Sequence, residues 1–116
     1  MTASRQRLGL RGESVAAAWY EARGFRVVAR RWRAGRHGEL DLVVRRDELL
    51  VFCEVKARAT AAFGSPALAV GLAKQQQVRT LAQLFLHHHP QVGVADHRFD
   101  VAAVVADDVT VYEAAF

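Results

Sequence analysis

The sequence predicts an α/β protein with a mixed central sheet flanked by helices on its two faces. Three observations predict it. A helix-period segment opens the chain, three β-rich runs follow, and a long helical segment separates the third run from a fourth. A polar turn between the second and third runs makes them a hairpin. The helical connection between the third and fourth is long enough for a parallel crossover, and the two arrangements together give a mixed sheet.

Arg5 to Arg23 is the first predicted helix, because Leu8, Val15, Ala16, Trp19 and Tyr20 recur at spacings of three, four and seven. Gly24 stands past its last turn, and Arg23 suits the negative helix end. Phe25 to Trp32 carries Phe25, Val27 and Val28 and reads as the first strand, followed by the turn Ala34-Gly35-Arg36-His37-Gly38. Glu39 to Arg45 alternates and then runs apolar through Leu42-Val43-Val44. The tight polar turn Arg46-Asp47-Glu48 joins it to the third strand, Leu49 to Ala57. Thr60 to Pro66 is a predicted loop. Ala67 to His88 carries an apolar stripe through Leu68, Leu72, Val78, Leu81, Ala82 and Phe85, with Gly71 placed to split it and Pro90 to stop it. His97 to Val105 is the fourth strand, and Val109 to Tyr112 a short fifth after Asp107-Asp108.

Composition narrows the function classes. The 116 residues are 52% hydrophobic and 24% charged with two prolines, which excludes a disordered or collagenous chain and suits one domain over residues 1–116. One cysteine, Cys53, excludes a disulfide framework and a cysteine-based zinc site. The apolar runs, such as Leu49 to Cys53, fall far short of the ~20 residues of a membrane span. Met1 to Leu10 has no apolar run of the secretory kind, so a cytoplasmic protein with no membrane partner is expected. The net charge of +4 and a pI near 10.0 make a polyanion such as nucleic acid a sensible partner. Arginines crowd the first third of the chain, whereas Asp96, Asp100, Asp107, Asp108 and Glu113 come late, so a molecule with a basic side is expected. The bland alternatives are a compositional bias towards arginine and scattered solubilising charges.

Chemistry concentrates in the predicted hairpin. Strand alternation puts Glu39 and Asp41 on one face of the second strand, and Phe52, Glu54, Lys56 and Arg58 on one face of the third. Counted outward from Asp47, Asp41 and Glu54 come nearly opposite each other. Glu54 and Lys56 interrupt what is otherwise the profile of a buried strand, and a buried charge costs several kcal/mol unless paired or bound to a metal. Two facing carboxylates suit Mg²⁺, with Lys56 beside them to orient a water or steady charge on a phosphate. The alternative is a plain Glu54–Lys56 or Asp41–Lys56 salt bridge.

Gly38-Glu39-Leu40-Asp41-Leu42, Val51 to Arg58, Phe63-Gly64-Ser65-Pro66 with Lys74, and Arg98-Phe99-Asp100-Val101 together resemble the YraN family of small bacterial proteins. Gly12-Glu13, Trp19-Tyr20, Gly24-Phe25 and the closing Tyr112 to Phe116 extend the likeness over nearly the whole chain. That family is grouped with the restriction-endonuclease-like PD-(D/E)XK nucleases and is similar to archaeal Holliday-junction resolvases. The resemblance implies an αβββαβ core and a metal-dependent nuclease acting on DNA. It assigns Asp41 the motif aspartate, Glu54 the acidic position, Lys56 the lysine, and Glu13 the glutamate of the first helix. Leu40 stands where the motif has proline. Mg²⁺ or Mn²⁺ is then expected on Asp41, Glu54, the Val55 carbonyl and Glu13. A homodimer is expected if the substrate has two strands to cut. A catalytically inactive nucleic-acid-binding module of the same fold is the alternative, and a scaffold for a protein partner a third.

Other positions carry smaller claims. Glu39 is an additional metal ligand or a strand-end charge. Lys74, Arg58 and Arg36 are candidate contacts to nucleic-acid phosphates, against ordinary solvated positions. Trp32 between Arg31 and Arg33 suggests base stacking, against a strand aromatic that covers the core. His87-His88-His89 looks like a metal cluster, yet adjacent helical residues diverge, and cations suit a helix C-terminus. Cys53 is expected in the core, and Asp100 in a pair with Arg98 or another cation.

Overall fold

The computed structural model describes residues 3–58, 70–94 and 96–116, with side chains from residue 7 onward. The chain runs α1 (Ala3–Glu21), β1 (Arg26–Arg33), β2 (Glu39–Arg46), β3 (Leu49–Arg58), α2 (Leu72–His88), β4 (Asp96–Val105) and β5 (Asp108–Tyr112). Single 3₁₀ turns at Gly35–His37 and Pro90–Val92 precede β2 and β4. The five strands form one sheet in chain order, with β3 and β4 parallel and the other pairs antiparallel. This is the mixed α/β sheet the sequence predicts, and it contains the expected α-β-β-β-α-β order.

Each face of the sheet is covered by one helix. Ala16, Ala17 and Tyr20 of α1 pack on Leu42, Val44, Val51, Cys53 and Ala102. Val78, Leu81, Ala82 and Phe85 of α2 pack on Val43, Leu50, Phe52 and Phe99. Sheet residues thus divide between two cores by the alternation of β3, which is why that strand is apolar on both sides. Gly12 sets how closely α1 approaches: a Cβ there would stand 2.7 Å from the Ala57 Cβ, so a larger residue would push the helix off β3.

Boundaries differ from the expectations in instructive places. Helix α1 ends at Glu21 because the Tyr20 carbonyl accepts the N–H groups of Arg23 and Phe25 at 2.9 and 3.1 Å, turning the chain into β1. The predicted helical stretch before Gly71, residues 67–69, lies outside the described residues, and with it the predicted split. Gly71 itself precedes the first turn of α2 in extended backbone, φ −79° and ψ 176°. Leu72, counted in the apolar stripe, is 75% exposed. The predicted loop Thr60–Pro66, the Phe63-Gly64-Ser65-Pro66 motif and Leu68 lie outside the described residues. Among the described residues, no helix is long and apolar enough to cross a membrane.

Candidate functional site

The β2–β3 ladder pairs Val43 with Phe52 and Leu42 with Cys53. One further step sets Asp41 across from Glu54, on the face that α2 covers. The Val55 N–H donates to Asp41 Oδ2 at 2.9 Å and holds that carboxylate at the ladder's end. The two carboxylates are close enough for the charge of Asp41 to act on Glu54.

Glu54 is 3% exposed. Its Oε1 faces two ammonium groups, Lys74 at 3.3 Å and Lys56 at 3.9 Å. Its Oε2 is buried and receives no hydrogen bond. Burial, then the charge of Asp41, pushes the Glu54 carboxyl up to about 7, against the pull of both lysines. Burial also raises Asp41, while the Val55 N–H and Lys74 draw it back.

Glu13 reaches the same end of the sheet from α1. Burial, then Asp41, pushes it up to about 7, against the pull of Arg31. Arg31 Nε lies 3.5 Å from Glu13 Oε2. Arg31 belongs to β1 at the position opposite Asp41, between the pairs Arg30↔Leu42 and Trp32↔Leu40, and its φ is +45°. A non-glycine residue in that left-handed region is strained. Glu39 is held by Arg33 at 3.0 Å. Among the described residues, no group of three or more His, Cys, Asp or Glu side chains is close enough to hold a metal ion.

The model of the uncharacterised protein family UPF0102 matches residues 12–104, a stretch that includes Glu13, Asp41, Glu54, Lys56 and Lys74. A UPF0102 protein of Chloroherpeton thalassium is 39% identical over 100 residues, covering 86% of this chain and 76% of its own. One from Beutenbergia cavernae is 45% identical over 102 residues, covering 88% and 85%. One from Parafrankia is 48% identical over 99 residues, covering 85% and 82%. The chain belongs to UPF0102, the YraN family.

Within this UPF0102 chain, the hairpin and α2 bring Asp41, Glu54, Lys56 and Lys74 together. Val55 enters through its N–H. Lys74 turns onto Glu54 instead of lying on a solvated face. Arg58 continues the Lys56 face at the far end of β3 and is half-buried, whereas Arg36 sits exposed in the turn before β2. Of the early arginines, Arg11 donates its Nε to Asp107 at 2.7 Å. Cys53 lies in the α1 core, as expected. Asp100 pairs with Arg98, as expected, and also accepts from the Tyr20 hydroxyl at 2.7 Å, a contact spanning 80 residues of chain.

The sequence points to Lys74 as a phosphate contact and not as the partner of Glu54, and it does not single out Arg31. Lys74 occupies the buried stripe of α2, one turn before Val78 and in line with Leu81 and Phe85, so its helical position was the available signal. Arg31 carried none, because its role follows from an irregular strand conformation.

Proposed function

We propose that this chain is a metal-dependent nuclease that hydrolyses phosphodiester bonds of DNA, branched or structured DNA included. The observation that carries the reading is a buried carboxylate pair with an oxygen, Glu54 Oε2, left without a hydrogen bond. A buried polar atom without a partner costs stability, and a cation would repay it. The donor set fits a hard ion such as Mg²⁺ or Mn²⁺, which takes one or two carboxylates and fills its remaining positions with water and substrate phosphate oxygens. The lack of a third clustered carboxylate is therefore compatible with the fit. Asp41, Glu54 and the Val55 carbonyl would hold the ion, with Glu13 beside them. Once bound, it lowers the pKa of a water and neutralises charge on the phosphate.

The chain's own groups do the rest. Lys56 reaches over Glu54 with 31% of its side chain exposed, able to orient the attacking water and to donate to the charge that builds on phosphorus-bound oxygen. Lys74 steadies Glu54 at the same oxygen, 3.3 Å away. Arg58 and Arg36 supply backbone contacts that read no sequence. Cutting both strands of a substrate calls for two copies of the chain.

The test is incubation with branched, nicked and linear DNA plus Mn²⁺ or Mg²⁺. Cleavage should appear, vanish in EDTA, and fall at least about 100-fold in Lys56→Ala. No cleavage of any of these substrates with either ion overturns the reading. One observation favours an inactive binding module of the same fold: both lysines already neutralise Glu54 in the absence of a cation. Binding that weakens steeply with salt, with no cleavage by the wild-type chain, selects that module.

A further inference from the structure

A second concave surface, whose lining includes Arg36, contains none of the groups placed around the carboxylate pair. It is a cleft of about 770 Å³ between the Gly35–His37 turn and the last turns of α2. Its walls carry Trp32, Arg33, Arg36, His37, His88 and His89 and include no carboxylate. The cleft lies largely open to solvent, and its lining suits an anion that also has a flat apolar part. Arg33 is engaged by Glu39, which leaves Arg36 as the guanidinium without an ion-pair partner among the described residues.

The cleft is fixed in place. Trp32 packs against Phe85 with centroids 5.3 Å apart and rings at 84°, and against His88 and His89 at 5.9 Å each. His89 is stacked on Phe85 at 4.2 Å, and its Nδ1 lies 2.8 Å from the Phe85 carbonyl oxygen. Gln77 Nε2 donates to the His37 carbonyl at 2.9 Å and ties the turn to α2. Gly38 makes that approach available: its φ is +103°, and a Cβ there would run into the Gln77 side chain. A preset aromatic with cations around it binds without first paying to order itself.

We infer that this cleft binds an unpaired nucleotide of a nucleic-acid strand, its base stacked on Trp32 and its phosphate held by Arg36 and the histidines. Position argues for a strand over a free nucleotide. Gly38 leads directly into Glu39 and Asp41, and Gln77 stands one turn beyond Lys74, so cleft and carboxylate pair share both β2 and α2. From Lys74 to His88 the helix covers about 21 Å, the reach of a few nucleotides. The inference takes its class of ligand from the proposed nuclease reading, and adds that the strand leaving the carboxylate pair is single.

The test follows Trp32 fluorescence in EDTA, in a Trp19→Phe chain that leaves one indole. An oligothymidylate about twelve nucleotides long should quench the emission saturably, since base-on-aromatic stacking is sequence-tolerant. Duplex of equal length should not quench it. Arg36→Glu, an exposed position that does not threaten folding, should weaken oligonucleotide binding about tenfold or more in the Trp19 chain, read by anisotropy. Oligonucleotide binding without quenching, or without loss in Arg36→Glu, overturns the inference. So does thymidine monophosphate quenching as tightly as the oligomer, which would assign the cleft to free nucleotides. Because the quenching is read in EDTA and needs no metal, quenching there together with no cleavage in Mg²⁺ or Mn²⁺ retires the nuclease reading alone. Lys56-dependent cleavage without quenching retires the cleft alone.

Discussion

Asp100 and Glu54 are both carboxylates buried in one sheet, and they are neighbours: Asp100 pairs with Cys53 across β3 and β4, and Glu54 follows Cys53. They face opposite helices and opposite fates. Asp100 is saturated. Its Oδ1 accepts from Arg98 Nε at 2.8 Å and the Ala114 N–H at 3.0 Å, and its Oδ2 accepts from Tyr20 at 2.7 Å and Arg98 Nη2 at 3.0 Å. Burial pushes the Tyr20 hydroxyl far up, so it stays protonated and a donor. Glu54 has two ammonium groups on one oxygen and nothing on the other. The first arrangement ties α1, β4 and the C-terminal segment together. The second leaves one buried carboxylate oxygen, at a fixed place, without a hydrogen bond.

The largest effect should come from breaking the saturated side. Asp100→Ala leaves Tyr20 and Arg98 without their acceptor and should cost about 3 to 5 kcal/mol, measured by denaturant unfolding. A loss under ~1 kcal/mol would mean that the network is ornamental, and the contrast with Glu54 would fail.

Next comes the opposite sign at Glu54. Its folded pKa, about 7, lies above the ordinary 4.5, so folding takes up a proton between those values. Stability of the metal-free chain should therefore fall as pH rises through that window, with the loss complete above it. The shift corresponds to about 3 kcal/mol. Glu13, also raised to about 7, acts in the same direction. Glu54→Gln should flatten the slope and, above pH 7, make the metal-free chain about 2 kcal/mol more stable while abolishing cleavage. Unfolding midpoints across pH for the two chains check it. A Glu54→Gln chain less stable than wild type above pH 7 would make Glu54 a structural ion pair like Asp100.

The hairpin and its carboxylates were legible because local rules set them. A polar three-residue turn between apolar runs fixes the register, and an acid inside an apolar strand announces itself. Glu13 was legible only through the family resemblance, although it shares a stripe of α1 with the buried Ala16, Ala17 and Tyr20. Lys74 was legible as a cation at the start of α2, but its contact with Glu54 follows from its place ahead of the buried Val78, Leu81 and Phe85. The Tyr20–Asp100 bond and the His88–Trp32 wall were beyond reach, because contacts between residues far apart in the chain follow from packing and not from local periodicity.

The smallest effect tests whether strain belongs to the site. The β1–β2 ladder slips between Val27 and Ala29, and three residues later Arg31 adopts a left-handed backbone opposite Asp41. That conformation costs about 1 kcal/mol in any residue with a Cβ and almost nothing in glycine. The half-exposed Arg31–Glu13 pair returns about 0 to 1 kcal/mol. The two nearly cancel, so Arg31→Gly should leave stability within ~1 kcal/mol of wild type. It should nevertheless move Glu13, because Arg31, ahead of Arg30, draws that carboxyl down against burial and Asp41. In the glycine chain Glu13 should titrate higher than in wild type, read from its side-chain carbon resonance against pH. An unmoved Glu13 would leave the left-handed arginine a local accident of the bulged strand. A shifted one would show that β1 holds a strained residue where its charge tunes the acids of the carboxylate site.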